Sequence, residues 1–378
     1  MGTLFLFHSS RPFASTPWHV MNSSPDPGFT LFDAFISGWI MPLFFVISGI
    51  AVYFSLGKRG GLQFVKDRVL RLMVPFLTVG MLAILPVNAY YDAVFHGKFT
   101  GSFLSFYLGP YFTQFFPFTL NFSATYLANS NQGIYLWYLF WLFLFSIITI
   151  PLFKWLAKDS SRKRLSGLYG ACSGRGGLLL LAIPLIIVNI AAVPPYFIFP
   201  SGYGGWKLPP YLMLFILGYV MTCNPQFEDS LEKNRKISLL LGMILSIIVV
   251  VVAAASGGTA PSTGLDRSYI IVSTLWALNG WCWVTAILGY GRKHLSFNNK
   301  FLQVSNELVL PFYILHQAII VAVSFYVVQL NLIIIEKYLI IVLTSFPIIA
   351  GLLYPVSKVN FFRFLFGMRN KQTLEMKR

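Results

Sequence analysis

LFDAFISGWIMPLFFVISGIAVYFSLGKRGGLQFVKDR, residues 31–68, decides the fold class. Residues 31–55 carry a single charge, Asp33, and their apolar run exceeds the roughly 20 residues of helix that cross a hydrocarbon core. Lys58, Arg59, Lys66 and Arg68 then follow in close order. An apolar run that ends in a basic connection is what the positive-inside rule expects of a span reaching the cytoplasm. The pattern repeats along the chain. Spans are expected at 1–13, 31–55, 72–92, 133–156, 178–199, 209–223, 237–256, 268–290, 305–329 and 338–356. Of the 28 Lys and Arg, 23 lie on alternate connections or after the last span. Only Arg11, Lys98, Lys207, Arg267 and Lys337 lie on the opposite side.

The expected fold is therefore all-α: an integral membrane bundle of about ten transmembrane helices with both ends cytoplasmic, multi-pass in the cell (inner) membrane. Composition agrees, with 56% hydrophobic residues, 11% charged and a mean hydropathy of +0.70. A globular chain carries about a quarter charged residues. The net charge of +16 is then a topology signal, with the lipid bilayer as partner and no nucleic acid. Residues 1–356 read as one membrane-embedded domain and 357–378 as a basic cytoplasmic tail.

Some stretches fit less evenly. A 13-residue helix rises about 20 Å against a core of about 30 Å, so the first helix reads as truncated, or the true start lies upstream. The opening MGTLFLF has neither a basic region nor a small-residue cleavage site, so it is not a signal peptide. Leu208 to Cys223 is also short. Residues 14–30, rich in Ser, Thr, Pro and Asn, suit irregular loop. The outer segment 93–132 is laden with Phe103, Phe106, Tyr107, Tyr111, Phe112, Phe115, Phe116 and Phe118. It is either a cap at the interface or an ordinary aromatic belt. The glycine-rich inner loop 157–177 is expected to be flexible. Cys172, Cys223 and Cys282 show no metal-ligand spacing and no placement for an external disulfide, which leaves them a packing role.

Polar residues inside spans are costly enough to be functional candidates. His8 follows the run Leu-Phe-Leu-Phe. A neutral imidazole there can act as general base on a hydroxyl, or simply hydrogen-bond a neighbouring helix. Asp33, at the expected start of the second span, either caps that helix or orients His8 or a sugar hydroxyl. Trp18-His19 can stack on and hydrogen-bond a sugar. His316 lies about a third of the way into the ninth span, with Glu307 at its inner start. His96 and His294 are expected in solvated loops. Arg68 and Arg71, three apart, share a helical face, where they either grip phosphates of a nucleotide-bearing donor or anchor to anionic lipid.

Four stretches, FHSSRPF (7–13), MPLFFVISGI (41–50), VKDRVLRLMVPF (65–76) and PFYILHQ (311–317), resemble the acyltransferase type 3 family of membrane O-acyltransferases. YLWYLFWLFL (135–144) resembles that family more weakly. WHVMNSS and TLFDAFIS are similar to the branch that serves glucan biosynthesis by succinyl transfer. The resemblance implies that His8 is the catalytic histidine, that Arg68 and Arg71 bind the donor, and that Arg11, Trp18, His19, Asp33 and His316 support the acceptor or the chemistry. The family pairs its histidine with an arginine eleven residues earlier, a position that falls before Met1. The branch also often places polar residues where this chain has Gly38, Trp39 and Ile40, which bears on the acceptor.

The expected function is transfer of a succinyl or acetyl group from acyl-CoA to a hydroxyl of a sugar or glycan, with His8 as general base. Acyl-CoA is a co-substrate; no metal or resident cofactor is implied. A passing acyl-enzyme on His8, Ser9 or Ser10 is a variant of this scheme. The alternative from another class is a transporter of a glycan or lipid-linked sugar, for which paired broken helices are expected. A third is an inactive scaffold relative.

Overall fold

The computed structural model describes residues 1–58, 60–115, 136–192, 204–255, 265–295, 297 and 299–369, and no strand occurs among them. Parts of the expected spans (133–135, 193–199 and 256), together with Phe116, Phe118, Arg59 and the tail residues Lys371, Lys377 and Arg378, lie outside the described residues. The helices are α1 (Gly2–Ser10), α2 (Pro27–Ser37), α3 (Ile40–Gly57), α4 (Gly61–Phe95), α5 (Phe103–Phe106), α6 (Trp137–Ile148), α7 (Ile150–Leu156) and α8 (Asp159–Arg164). They continue as α9 (Ser166–Ser173), α10 (Gly177–Ala191), α11 (Leu208–Thr222), α12 (Pro225–Ala255), α13 (Arg267–His294), α14 (Lys300–Val327), α15 (Ile334–Lys358) and α16 (Asn360–Leu365).

Among the described residues, six stretches are long and apolar enough to cross a membrane: Pro27–Gly57, α4, Pro225–Val252, α13, α14 and α15. The pair α6 and α7, bent by 55°, makes a seventh if it is one span. α10 and α11 are apolar but shorter. Side chains facing away from the protein are apolar as well: Ile247, Val251 and Leu343 are 65%, 59% and 69% exposed. In water such faces would be liabilities; in lipid they are the solvated surface.

Two units divide the chain. One holds Met1–Ala34, Lys66–Phe143 and Asn298–Arg378; the other holds Phe35–Val65 and Leu144–Phe297. In the first unit α1 lies against α14 and α15, where Phe5 meets Phe312 and Phe346 edge-on at 6.0 and 5.9 Å. α4 runs beside α14. It widens to longer-range hydrogen bonds over Val69–Met73 and Phe76–Ile84, on either side of Pro75. Proline removes a donor and crowds the preceding turn, which accounts for the disturbance at that place.

The aromatic segment after α4 turns back on it. The Tyr107 hydroxyl donates to Leu82 O at 3.0 Å, the Tyr111 hydroxyl donates to Met81 O, and Phe106 and Tyr111 are fully buried against α4. This is a folded hairpin rather than a belt of separate rings. At the other end, Arg363 is buried, bonding Glu307, Ser357 O at 3.0 Å and Arg369 O. The turn at Gly367 (φ +68°) then runs so close to the Arg71 backbone that a Cβ would stand 2.6 Å from Arg71 O.

In the second unit α3 packs on α11 through paired glycines, and α12 packs along α13. The inner loop expected to be flexible is folded. It forms α8 and α9, buries Tyr169 and Cys172, and is held by Asn234, whose Oδ1 accepts from Gly176 N at 2.6 Å. Two apolar side chains and one buried amide were enough to pack it. The three cysteines are buried and form no disulfide. Burial pushes the Cys172 thiol up, which suits the packing role.

The basic residues that break the topology pattern are mostly sequestered. Lys337 donates to Asn22 Oδ1 at 2.8 Å and Val328 O at 2.9 Å. Lys207 donates to Asn189 O at 3.1 Å and to the Tyr269 hydroxyl, and burial pulls its amine down to about 8. Arg11 is ion-paired, whereas Lys98 and Arg267 are exposed.

Candidate functional site

α1 delivers His8 to the last turn before a single tighter turn, Arg11–Phe13. Pro12 fits the start of such a turn because its missing N–H is not needed there. Residues 14–26 then form the irregular loop expected from composition, and α2 starts at Pro27. That loop folds over the end of α1: Asn22 N and Asp26 N donate to Pro12 O and Phe13 O, both at 2.8 Å.

His8 Nδ1 is buried and meets no hydrogen-bond partner among the described residues. Trp18 stacks over the imidazole at 6.3 Å and 22°. His316, fully buried, lies 5.1 Å away, ring centroid to centroid. His316 Nδ1 sits 2.7 Å from Tyr313 O, so that nitrogen is the donor and Nε2 carries the lone pair. The site thus pairs an imidazole without a partner on Nδ1 with a second imidazole whose tautomer is fixed. Buried polar atoms are normally satisfied, and the exceptions concentrate where a substrate or water is to bind.

Asp33 does not cap its helix. α2 begins six residues before it, and Asp26 supplies the capping oxygen to Phe29 N at 3.1 Å. Asp33 Oδ2 instead accepts from Arg11 at 2.6 Å and from Thr16 at 2.9 Å, while Oδ1 is buried without a partner. Arg11 also donates to Pro17 O at 3.1 Å. Arg11 and Asp33 therefore clamp the loop next to Trp18.

His19 is fully engaged. Its Nδ1 lies 3.3 Å from Asp92 Oδ2 and its Nε2 lies 3.3 Å from Gln317 Nε2. With the Gln317 amide donating, Nε2 accepts and Nδ1 donates to Asp92. His19, which sequence suggested as a hydrogen-bonding partner for a sugar, thus bonds protein groups at both ring nitrogens beside Trp18. Asp92 Oδ1 in turn meets His96 Nδ1 at 2.8 Å. His96 and His294 are exposed, at a helix end in each case rather than in loops. Asp92 was not singled out in the sequence. The signal available for Asp92 was a carboxylate at the end of an expected span.

We expect Asp92→Asn to lower turnover about 10- to 100-fold, the worth of a hydrogen bond to a charged group at about 1.5–3 kcal/mol. Asp92→Glu should recover part of it. Turnover unchanged in Asp92→Asn would remove the residue from the site.

Arg68, half-buried, and Arg71, exposed, lie on α4 and the wide turn that continues it, as their spacing required. The structure does not bring them to His8. Asp92, linked to the His8 group through His19, stands 21 residues from Arg71 along α4, roughly 30 Å at 1.5 Å per residue. That is about the thickness of the hydrocarbon core.

The acyltransferase domain family, acyltransferase type 3, matches residues 5–355. The chain belongs to this family. Among its relatives, Glucans biosynthesis protein C of Salmonella paratyphi A is 23% identical over 320 residues, covering 82% of this chain and 77% of the relative. The protein of the same name from Salmonella heidelberg is 24% identical over 316 residues, with the same coverage. That of Escherichia coli SMS-3-5 is 39% identical over 80 residues, 21% of each chain. No solved structure matches. With its apolar helices, this acyltransferase type 3 member is a multi-pass membrane acyltransferase. The four stretches that most resembled the family fall on α1 and the turn after it, α3, α4 and α14, and, Val65 aside, the first, third and fourth belong to the unit that holds His8.

Proposed function

We propose that this membrane acyltransferase moves a succinyl or acetyl group from acyl-CoA to a hydroxyl of a sugar or glycan, with His8 as general base. The observation that carries the reading is the buried, unpartnered Nδ1 of His8 beneath Trp18 and beside His316. The names of the relatives support a glucan as acceptor. The reading keeps ten crossings of the cell (inner) membrane, both ends cytoplasmic, a domain of residues 1–356 and a basic tail of 357–378. The basic connections support that orientation.

In this scheme Arg68 and Arg71 hold the phosphates of acyl-CoA at the inner end of α4, through charge-assisted hydrogen bonds. The long flexible arm of the donor carries the thioester toward the other end of the helix. An acceptor hydroxyl attacks the thioester carbon as His8 removes its proton. The tetrahedral intermediate collapses, the ester forms, and the thiolate leaves and takes a proton. Holding both reactants in one dry cavity adds proximity to base catalysis.

The test is transfer of labelled acyl groups from acetyl-CoA and succinyl-CoA to a glucan fraction by membranes containing this chain. Arg68→Ala with Arg71→Ala should raise the donor KM tenfold or more, as loss of charge-assisted contacts of about 1.5–3 kcal/mol each implies. A donor KM unmoved by both changes would leave those residues as lipid anchors, and no transfer by the parent to any glucan would remove the reading.

A further inference from the structure

Two neighbouring helices of the first unit carry buried polar side chains that no group among the described residues satisfies. Asn88 on α4 is 1% exposed, and neither its Oδ1 nor its Nδ2 meets a hydrogen-bond partner. Ser324 on α14 is fully buried, and its hydroxyl is likewise without a partner. Their neighbours meet at the contact of the two helices. Tyr91, three residues beyond Asn88, meets the ring of Phe325, next to Ser324, at 5.1 Å. Asp92, one turn from Asn88 on the same face, reaches His19, and His19 reaches Gln317. Gln317 lies two turns from Ser324 on the same side of α14. A strip of amide, hydroxyl and imidazole groups thus lies along the contact of α4 with α14.

A buried amide left with unmet donors and acceptors costs free energy that folding does not recover unless water or a ligand meets it. We propose that Asn88 and Ser324, beside the His19–Gln317 pair, form the subsite that binds hydroxyl groups of a carbohydrate acceptor. The donor set selects that chemistry. Amide and hydroxyl groups both give and accept hydrogen bonds, as sugar hydroxyls do. The Asp92 carboxylate opposes an anion, and a lone carboxylate already bonded to two histidines is a poor cation site. The strip also borders the loop that sets Trp18 over His8, so a sugar held there presents a hydroxyl toward the reacting imidazole. The proposal rests on the acyl-transfer reading of His8.

The test uses the full chain purified in detergent, acyl-CoA as donor and a tritiated gluco-oligosaccharide as acceptor probe. Asn88→Ala should raise the KM for the oligosaccharide tenfold or more, and Ser324→Ala, the gentler change, severalfold. The donor KM and the turnover at saturating acceptor should stay within about twofold. The oligosaccharide should also raise the melting temperature of the parent and not that of Asn88→Ala. If Asn88 only encloses trapped water, Asn88→Leu will melt at or above the parent temperature with an unchanged acceptor KM, and the subsite is overturned. A parent that transfers acyl groups while every variant keeps the parent KM removes the subsite alone. A parent that never labels the oligosaccharide removes the acyl-transfer reading and the subsite with it.

Discussion

Replacing His8 by alanine is expected to cut acyl transfer by ~10²–10⁴, the usual worth of a positioned general base. The protein should nevertheless stay folded. His8 Nδ1 has no partner to lose, so the substitution removes a desolvated polar group rather than breaking a hydrogen bond. The remaining cost is the lost packing against Trp18 and His316, offset in part by the relief of that unmet group. A residue whose removal damages the reaction far more than the fold is the signature of a site maintained for function. His8→Gln, which keeps a polar side chain without a comparable base, should be as inactive as His8→Ala. Both are read by label transfer at matched expression, with melting in detergent alongside. Parent-level transfer in His8→Ala would take the imidazole out of the mechanism. Equal loss of activity and of folded protein would make His8 a structural residue.

Much of the architecture was legible because a bilayer enforces it. The apolar runs marked each of the long apolar helices found among the described residues, since spanning backbone has to satisfy its own hydrogen bonds. Helix ends were less legible. α4 runs about ten residues further toward the basic connection than its apolar pattern, because Lys66, Arg68 and Arg71 can sit on a helix that leaves the core. The loop 157–177 looked unstructured on composition, yet Asn234, a residue far along the chain, anchors it.

At the site, His8 and His316 were visible as polar groups in apolar context and Trp18 as an indole beside an imidazole in a polar loop, and the structure brings all three together. The partnerships were not visible. Nothing local in the sequence joins His19 to Asp92, 73 positions later, or Arg11 to Asp33. Capping was one of two readings of Asp33 because the helix start was placed at residue 31; with the start at Pro27 and Asp26 capping, its carboxylate turns to Arg11 instead. Asn88 offered no sequence signal at all, because an asparagine near a span end is ordinary until both its amide atoms prove to be buried and unmet.

Gly49 of α3 and Gly218 of α11 are expected to tolerate substitution least in the second unit. A Cβ on Gly49 would stand 2.0 Å from Phe215 O, and one on Gly218 would stand 2.1 Å from Val46 O. The two glycines therefore face each other's helix backbones, and no rotamer change can relieve the clash, because the obstructing atoms are carbonyl oxygens. Lipid tails are as apolar as leucine, so membrane helices gain from close backbone approach what soluble helices gain from burying oil. Gly49→Ala or Gly218→Ala must push the helices apart. That would loosen the stacking of Phe45 on Tyr211, now 4.7 Å between centroids, and the edge-on contact of Tyr53 with Tyr219 at 5.4 Å. Overpacking of this kind costs about 1–3 kcal/mol for a methyl group, and Leu at either position should leave no folded protein. Gly351, inside α15, is the control: a Cβ there meets nothing within 4 Å. Gly351→Ala should hold or raise stability by up to about 1 kcal/mol through helix propensity alone. Melting of the purified variants in detergent decides it. If Gly49→Ala and Gly351→Ala melt together, the close approach of α3 and α11 contributes nothing to the fold.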